Sequence, residues 1–291
     1  MLTSGRKLEE LRRGVRERGR AEGGLVVAFS GGVDSGLLLT VAHEVLGEVG
    51  ARVLGVTLES ELLPKRELEQ ARSFLERTGV RHRRVQFAWQ ENEDFVRNPR
   101  ERCYFCKKQF SRVLKAVAAE EGLKTVAEGV TASDLVQDRP GIAAAEEEGV
   151  WHPLAEVGLT KEEVRQAAKE LGLPFWDKPA SPCLATRIEH GERVTVERLA
   201  RVEAAENFLK DLGFGWHSGG QGRHGEGQVR VRLHRGGVAR LEVEREEFEA
   251  FFDGKKLEEI CGRLKGLGFN FVTLDLEGYR NEIKGALGGK V

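Results

Sequence analysis

LVVAFSGGVDSGLLLTVAHEVL, residues 25–46, is the stretch on which the fold reading turns. Residues 25–29 are apolar and β-prone, residues 36–46 have helical character, and a glycine turn joins them. A strand that runs through such a turn into a helix points the free N–H groups and the positive dipole end of the helix at whatever lies over the turn. Gly31 and Gly32 allow positive φ and let an anion approach the backbone closely. Ser30 and Ser35 add hydroxyl donors, and Asp34 stands where it could hold Mg²⁺ against phosphates. The stretch has neither the G-x-x-x-x-G-K-[ST] nor the G-x-G-x-x-G spacing. A lone Gly-Gly is usually only a tight turn. Its place after the first apolar strand, flanked by Ser and Asp, favours phosphate binding.

Outward from this stretch, strand patterns recur at residues 53–58, 83–87 and 125–127, separated by helix patterns at 67–78 and 110–121. TKEE at 160–163 reads as a capping box that opens a helix running to residue 171. Strands alternating with helices predict an α/β fold, a doubly wound parallel sheet, over residues 1–190. The pattern changes after residue 191: a helix at 194–212, a Gly/His-rich segment at 213–227, strands at 229–233 and 238–243, a helix at 246–264 and a strand at 269–274. That order predicts a smaller C-terminal α+β domain over 191–291.

Composition narrows the class. A chain of 291 residues with 40% hydrophobic and 32% charged residues reads as globular, with room for two cores. A formal net charge of −1 provides no global field for nucleic acid. No apolar run approaches the length of a membrane span. The N-terminal residues are charged throughout, unlike a secretory signal, so a cytoplasmic location is expected. Leu8, Leu11 and Val15 mark an amphipathic surface helix. The four cysteines form no dense disulfide framework.

The SGGVDS loop resembles the pyrophosphatase loop (PP-loop) of the N-type ATP pyrophosphatases, which cleave ATP to AMP and pyrophosphate and form adenylates. Three further segments, RCYFCKK at 102–108, EGVTASDLVQDRPG at 128–141 and WDKPASPCLATR at 176–187, together with KEEVRQAAKELGLP and GFNFVTLDLEGYR, closely resemble the LarE family along nearly the whole chain. Members of that family are ATP-dependent sulfur transferases of nickel-pincer cofactor synthesis. The resemblance implies an adenine nucleotide α-hydrolase-like fold and pyridinium-3,5-biscarboxylic acid mononucleotide as substrate. It implies adenylylation of a carboxylate and conversion to a thiocarboxylate, twice over, in a homo-oligomer. In one branch the cysteine matching Cys183 gives up its own sulfur. In another, three cysteines bind a 4Fe-4S cluster carrying a transferable sulfide. Cys103, Cys106 and Cys183 match the second branch. Three thiolates would leave one iron open, whereas structural zinc usually takes four protein ligands, with His82 or His152 as the fourth here. The physiological sulfide donor stays unidentified.

The bland reading of the CxxC is a half-buried pair near a helix start, and that of Cys183 is a proline-bounded loop thiol; Lys178 and Arg187 nearby in sequence would instead favour its thiolate. Cys261 shares a helix face with Leu257, Ile260 and Leu264, which reads as core. Gly129 and Arg139 follow the 125–127 strand, the ligand edge of a doubly wound sheet, and join the loop as ATP and phosphate contacts. Arg187 is expected beside Cys183 as a catalytic and substrate-binding fork for phosphate or carboxylate. Asp134 is read either as a metal or hydrogen-bonding contact in the site or as a helix cap. Arg230 and Arg232 alternate in VRVR and so share one strand face; with Glu206 they are expected to contact substrate. His217 and His224 lie in an apparent insertion and read as solvated. Three rival activities remain. A tRNA thiolase needs an RNA surface, against the near-zero charge and 7% aromatics. An ammonia-using synthetase would not need Cys183, and a plain nucleotide-binding module would release no pyrophosphate.

Overall fold

A computed structural model of the chain describes residues 4–137, 139–215 and 228–280. His217, His224 and the segment after Arg280 lie outside those residues. The chain divides into two compact units, Met1–Lys178 and Pro179–Val291. The division comes before the expected boundary at residue 190, so the PCLATR segment goes with the C-terminal unit.

The N-terminal unit contains helix α1 (Ser4–Glu22), strand β1 (Gly24–Ala28), α2 (Val33–Glu48), β2 (Arg52–Glu59), α3 (Lys65–Thr78), β3 (His82–Gln86), α4 (Arg102–Glu120), β4 (Thr125–Ala127), α5 (Pro140–Glu147) and α6 (Lys161–Glu170). The four strands are parallel in the order β3-β2-β1-β4, with Val26 paired to Leu54 on one side and to Val126 on the other. The chain therefore winds out through β2 and β3 and crosses back to β4. This leaves a topological switch point between β1 and β4, where doubly wound sheets bind ligands.

Hydrophobic burial holds the layers together. Leu25, Val26 and Val27 are fully buried, as expected of a central parallel strand covered on both faces. Leu25, Val27 and Phe29 pack with Leu37, Leu38 and Phe74 from α2 and α3. Leu11 and Val15 bury the inner stripe of α1 in the same cluster. Helix α4 packs on β1 and β4. Each fully buried Leu, Val or Phe contributes about 1.5–3 kcal/mol, so this cluster is the main stabilising element of the unit. The Thr160 capping box forms: Glu163 N–H donates to Thr160 Oγ1 at 3.3 Å, and Thr160 N–H donates to Glu163 Oε2 at 2.8 Å.

The C-terminal unit holds α7 (Val196–Asp211), β5 (Arg230–His234), β6 (Val238–Glu242), α8 (Gly254–Gly266) and β7 (Phe271–Leu274). Strands β5 and β6 are antiparallel, and β7 joins β6 in parallel. The helix expected over 246–264 is two pieces. A 3₁₀ segment, Arg245–Phe252, ends at Asp253, whose carboxylate accepts the Lys255 N–H at 2.9 Å and starts α8 anew. The core reading of Cys261 changes in detail: Ile260 and Leu264 are buried, while Leu257 is 44% exposed and Cys261 is half-buried on the flank. Among the described residues no helix is long and apolar enough to cross a membrane.

Candidate active site

The phosphate loop lies at the switch point. Gly31 has φ +78°, and a Cβ there would meet the Ala71 Cβ at 2.9 Å, so both the turn and the approach of α3 require glycine. Gly32 is the N-cap of α2 and brings no side-chain cap, which leaves the helix's first N–H groups facing the loop. The Ser30 and Ser35 hydroxyls stand 3.2 Å apart, and Ser35 Oγ donates to the Gly32 carbonyl at 3.2 Å. Hydroxyls and uncapped helix N–H groups together are the donor chemistry of an anion site.

Asp34 lies in the first turn of α2. Its Oδ2 is ion-paired with Lys161 at the start of α6, while its Oδ1 is buried with no hydrogen-bond partner. Burial pushes the Asp34 carboxyl above the ordinary aspartate range, and Lys161 offsets only part of that push. A half-buried carboxylate with one oxygen unpartnered beside a phosphate loop has the donor chemistry of a Mg²⁺ ligand. Lys161 is a site residue that sequence reasoning missed. Its signal was present, since the residue after the Thr160 cap must sit at the mouth of α6.

The segment after β4 comes up against this loop. A Cβ on Gly129 would lie 2.7 Å from the Asp34 carbonyl carbon and 2.7 Å from the Ser35 nitrogen, so Gly129 is a backbone spacer under the loop. Its neighbour Glu128 is 5% exposed, ion-paired with Lys107 of α4, and 2.9 Å from His152 Nε2. Burial alone would raise the Glu128 carboxyl, but Lys107 and the His152 hydrogen bond outweigh it and hold it below the ordinary glutamate range. Arg139 is partly exposed and pairs with Asp134 Oδ1 at 2.8 Å. Asp134 also accepts from the Thr131 N–H at 2.9 Å, so of its two expected roles the cap forms.

Cys103 and Cys106 lie in the first two turns of α4, which starts eight residues before the helix expected at 110. Cys103 is exposed and Cys106 half-buried. The RPG segment meets them directly: a Cβ on Gly141 would be 3.6 Å from the Cys103 carbonyl oxygen and from Lys107 Cβ. Two of the sequence motifs are thus brought together within one unit.

In the C-terminal unit, Cys183 is the N-cap of a 3₁₀ turn, Leu184–Arg187. Arg187 is 3% exposed. It donates to both Glu206 oxygens (2.8 and 3.3 Å), to the Pro182 carbonyl (2.8 Å) and to Thr186 Oγ1 (2.9 Å). Burial lowers its pKa, but Glu206 reverses that and leaves it raised. Glu206 also accepts the Val231 N–H at 3.2 Å, tying α7 to β5. Arg232 is matched by Glu242 at 3.0 and 3.1 Å. Arg230 differs. It donates to the Tyr279 hydroxyl at 2.9 Å, its guanidinium lies over the Tyr279 ring, and its buried Nε has no partner. Burial lowers its pKa, and nearby Arg187 adds to the effect. Sequence reasoning missed Tyr279 because its contact with Arg230 is long-range, and Glu242 because its match to Arg232 depends on the register of the β5–β6 pair. Lys178 belongs to the N-terminal unit and is bound to Glu67 and to Gln70 Oε1. Among the described residues no group of three His, Cys, Asp or Glu side chains is arranged to hold a metal ion.

The asparagine synthase family matches residues 7–103, the part of the chain that carries the loop. An uncharacterized protein of Synechocystis is 42% identical over 94% of this chain and 95% of its own length. The pyridinium-3,5-bisthiocarboxylic acid mononucleotide synthase of Lactiplantibacillus plantarum is 34% identical over 88% of this chain and 87% of its own. One component of the glutamine-hydrolyzing GMP synthase of Archaeoglobus fulgidus is 28% identical over 68% of this chain and 67% of its own. At the identity and coverage of the Lactiplantibacillus enzyme, the chain belongs to the LarE family, built on the N-type ATP pyrophosphatase fold.

Proposed function

We propose that this protein uses Mg·ATP to adenylylate a carboxylate of pyridinium-3,5-biscarboxylic acid mononucleotide and then replaces the activated oxygen with sulfur. The observation that carries the reading is the Ser30–Ser35 loop, with an uncapped helix start and the unpaired Oδ1 of Asp34 beside it. In the first step a substrate carboxylate oxygen attacks the α-phosphorus, and the bond from that phosphorus to the bridging oxygen breaks. Pyrophosphate leaves with the electron pair into the loop's N–H and hydroxyl donors, where charge develops. In the second step a sulfur nucleophile attacks the acyl carbon, and AMP leaves with the C–O bonding pair. Bound Mg²⁺ would neutralise phosphate charge; Asp34 is the residue that would hold it. Lys161 would then be free to turn to phosphate.

The finer assignments belong to the same proposal. Cys103, Cys106 and Cys183 would hold a 4Fe-4S cluster, a reading supported by the three-thiol donor set and the exposure of Cys103. Such a cluster supplies a transferable sulfide. Gly129 spaces the loop, and Arg139 is proposed to reach phosphate. Arg230 is the substrate-anion candidate of the C-terminal unit, since of Arg187, Arg230 and Arg232 it is the one whose buried Nε has no hydrogen-bond partner. Arg187, Arg232 and Glu206 would act by framing it. The test is iron and acid-labile sulfide content after anaerobic reconstitution, with the triple cysteine variant as control. Iron and sulfide that vanish in the control support the cluster. Their absence from the wild type, with one sulfur transferred per chain, makes Cys183 the sacrificial donor.

A further inference from the structure

Glu128 occupies a node that the reaction as described does not use. One carboxylate oxygen holds Lys107 on α4, and the other is held by His152 Nε2 at 2.9 Å. Its own N–H donates to the Trp151 carbonyl at 2.9 Å, so backbone and side chain are both fixed. On the C-terminal side the next residue is Gly129, so close to the loop that an added Cβ would fall 2.7 Å from the Asp34 and Ser35 backbone. On the α4 side, Lys107 follows Cys106 directly and lies one helical turn from Cys103, on the same face. The Lys107 ammonium also rests over the Phe110 ring at 4.7 Å. A buried carboxylate paired with a cation holds that cation's helix firmly, because separating the two strands a desolvated charge. One side chain therefore joins the cysteine-bearing start of α4 to the floor of the phosphate loop.

We propose that Glu128 is a positioning residue: through Lys107 it fixes the Cys103–Cys106 turn against the phosphate loop and keeps sulfur delivery in step with adenylation. The inference rests on the reading that Cys103 and Cys106 serve sulfur delivery. It goes beyond that reading by assigning the coupling to a pair of residues outside both the phosphate loop and the cysteines.

The test compares Glu128→Gln, which keeps the shape and a hydrogen bond to His152, with Lys107→Met and Lys107→Arg, in the full chain. The measured quantity is thiocarboxylate formed per pyrophosphate released. The ratio is expected to fall at least 5-fold in Glu128→Gln and in Lys107→Met, to recover in Lys107→Arg, and to fall no further in the double variant, because the two residues act as a unit. A second readout needs no cluster. Alkylation of Cys103 by iodoacetamide is expected to change at least 3-fold on adding Mg·ATP in the wild type and to be insensitive in Glu128→Gln. Should Glu128→Gln fail to fold, the Lys107 variants decide alone, since Lys107 is only partly buried. An unchanged ratio in Lys107→Met overturns the proposal. Cys103→Ser and Cys106→Ser distinguish the two failures. If they transfer sulfur normally, the cysteine reading itself fails and the coupling goes with it. If they do not, an unchanged ratio removes only Glu128's role.

Discussion

At the scale of single residues, the site is defined by what is left unsatisfied. Asp34 is a half-buried carboxylate with one oxygen on Lys161 and the other, itself buried, without a hydrogen-bond partner. Asp34→Asn should lower substrate-dependent pyrophosphate release at least 100-fold, measured with a coupled pyrophosphatase assay, because the charge that would hold Mg²⁺ is lost. Its stability should move the other way. A carboxyl whose folded pKa is raised above its unfolded value stabilises the fold fully below the unfolded pKa, and that contribution is lost as pH rises through the folded one. The Tm advantage of Asp34→Asn over the wild type without Mg²⁺ should therefore grow from acid pH to pH 8. Gly129→Ala tests the spacer. Its Cβ would press on Asp34 and Ser35 backbone at 2.7 Å, which has no flexible end to yield. Displacing the loop should weaken ATP binding about tenfold by calorimetry, alongside a stability loss of about 1–3 kcal/mol.

At the scale of elements, each reading rested on a local signal. The strand-turn-helix at residues 24–48 was legible because the apolar β-prone run, the glycine turn and the helical run after it point the same way. So was the Thr160 box; Thr160→Ala should cost about 1 kcal/mol in chemical denaturation. The early start of α4 was not legible, because RCYFCKK has no apolar stripe and its anchors, Glu128 and Glu147, lie far along the chain. The break at Asp253 was legible in retrospect as an Asp-Gly cap. In VRVR the alternation placed Arg230 and Arg232 on one strand face, but only the fold shows that Arg232 and Arg187 are each matched by a glutamate while Arg230 keeps a donor free. Glu206→Ala should cost about 3–5 kcal/mol, since it leaves Arg187 buried and uncompensated. A fluorescence unfolding curve reads this directly.

At the scale of the whole molecule, one topology accounts for the loop's place: order β3-β2-β1-β4 leaves the β1 and β4 ends as neighbours, and the loop and Gly129 are those ends. Function beyond the loop was legible from segment identity rather than from spacing, since CxxC alone fits several chemistries and Cys183 belongs to the other unit. The central claim is that ATP cleavage here activates a carboxylate for sulfur. The most direct measurement is mass spectrometry of pyridinium-3,5-biscarboxylic acid mononucleotide incubated anaerobically with the reconstituted protein, Mg·ATP and sulfide, with AMP and pyrophosphate quantified in parallel. The expected result is a gain of about 16 Da per carboxylate converted, one oxygen exchanged for sulfur, with one AMP and one pyrophosphate for each. Pyrophosphate release that does not depend on the pyridinium substrate, or an unaltered substrate mass with ATP consumed, would contradict it.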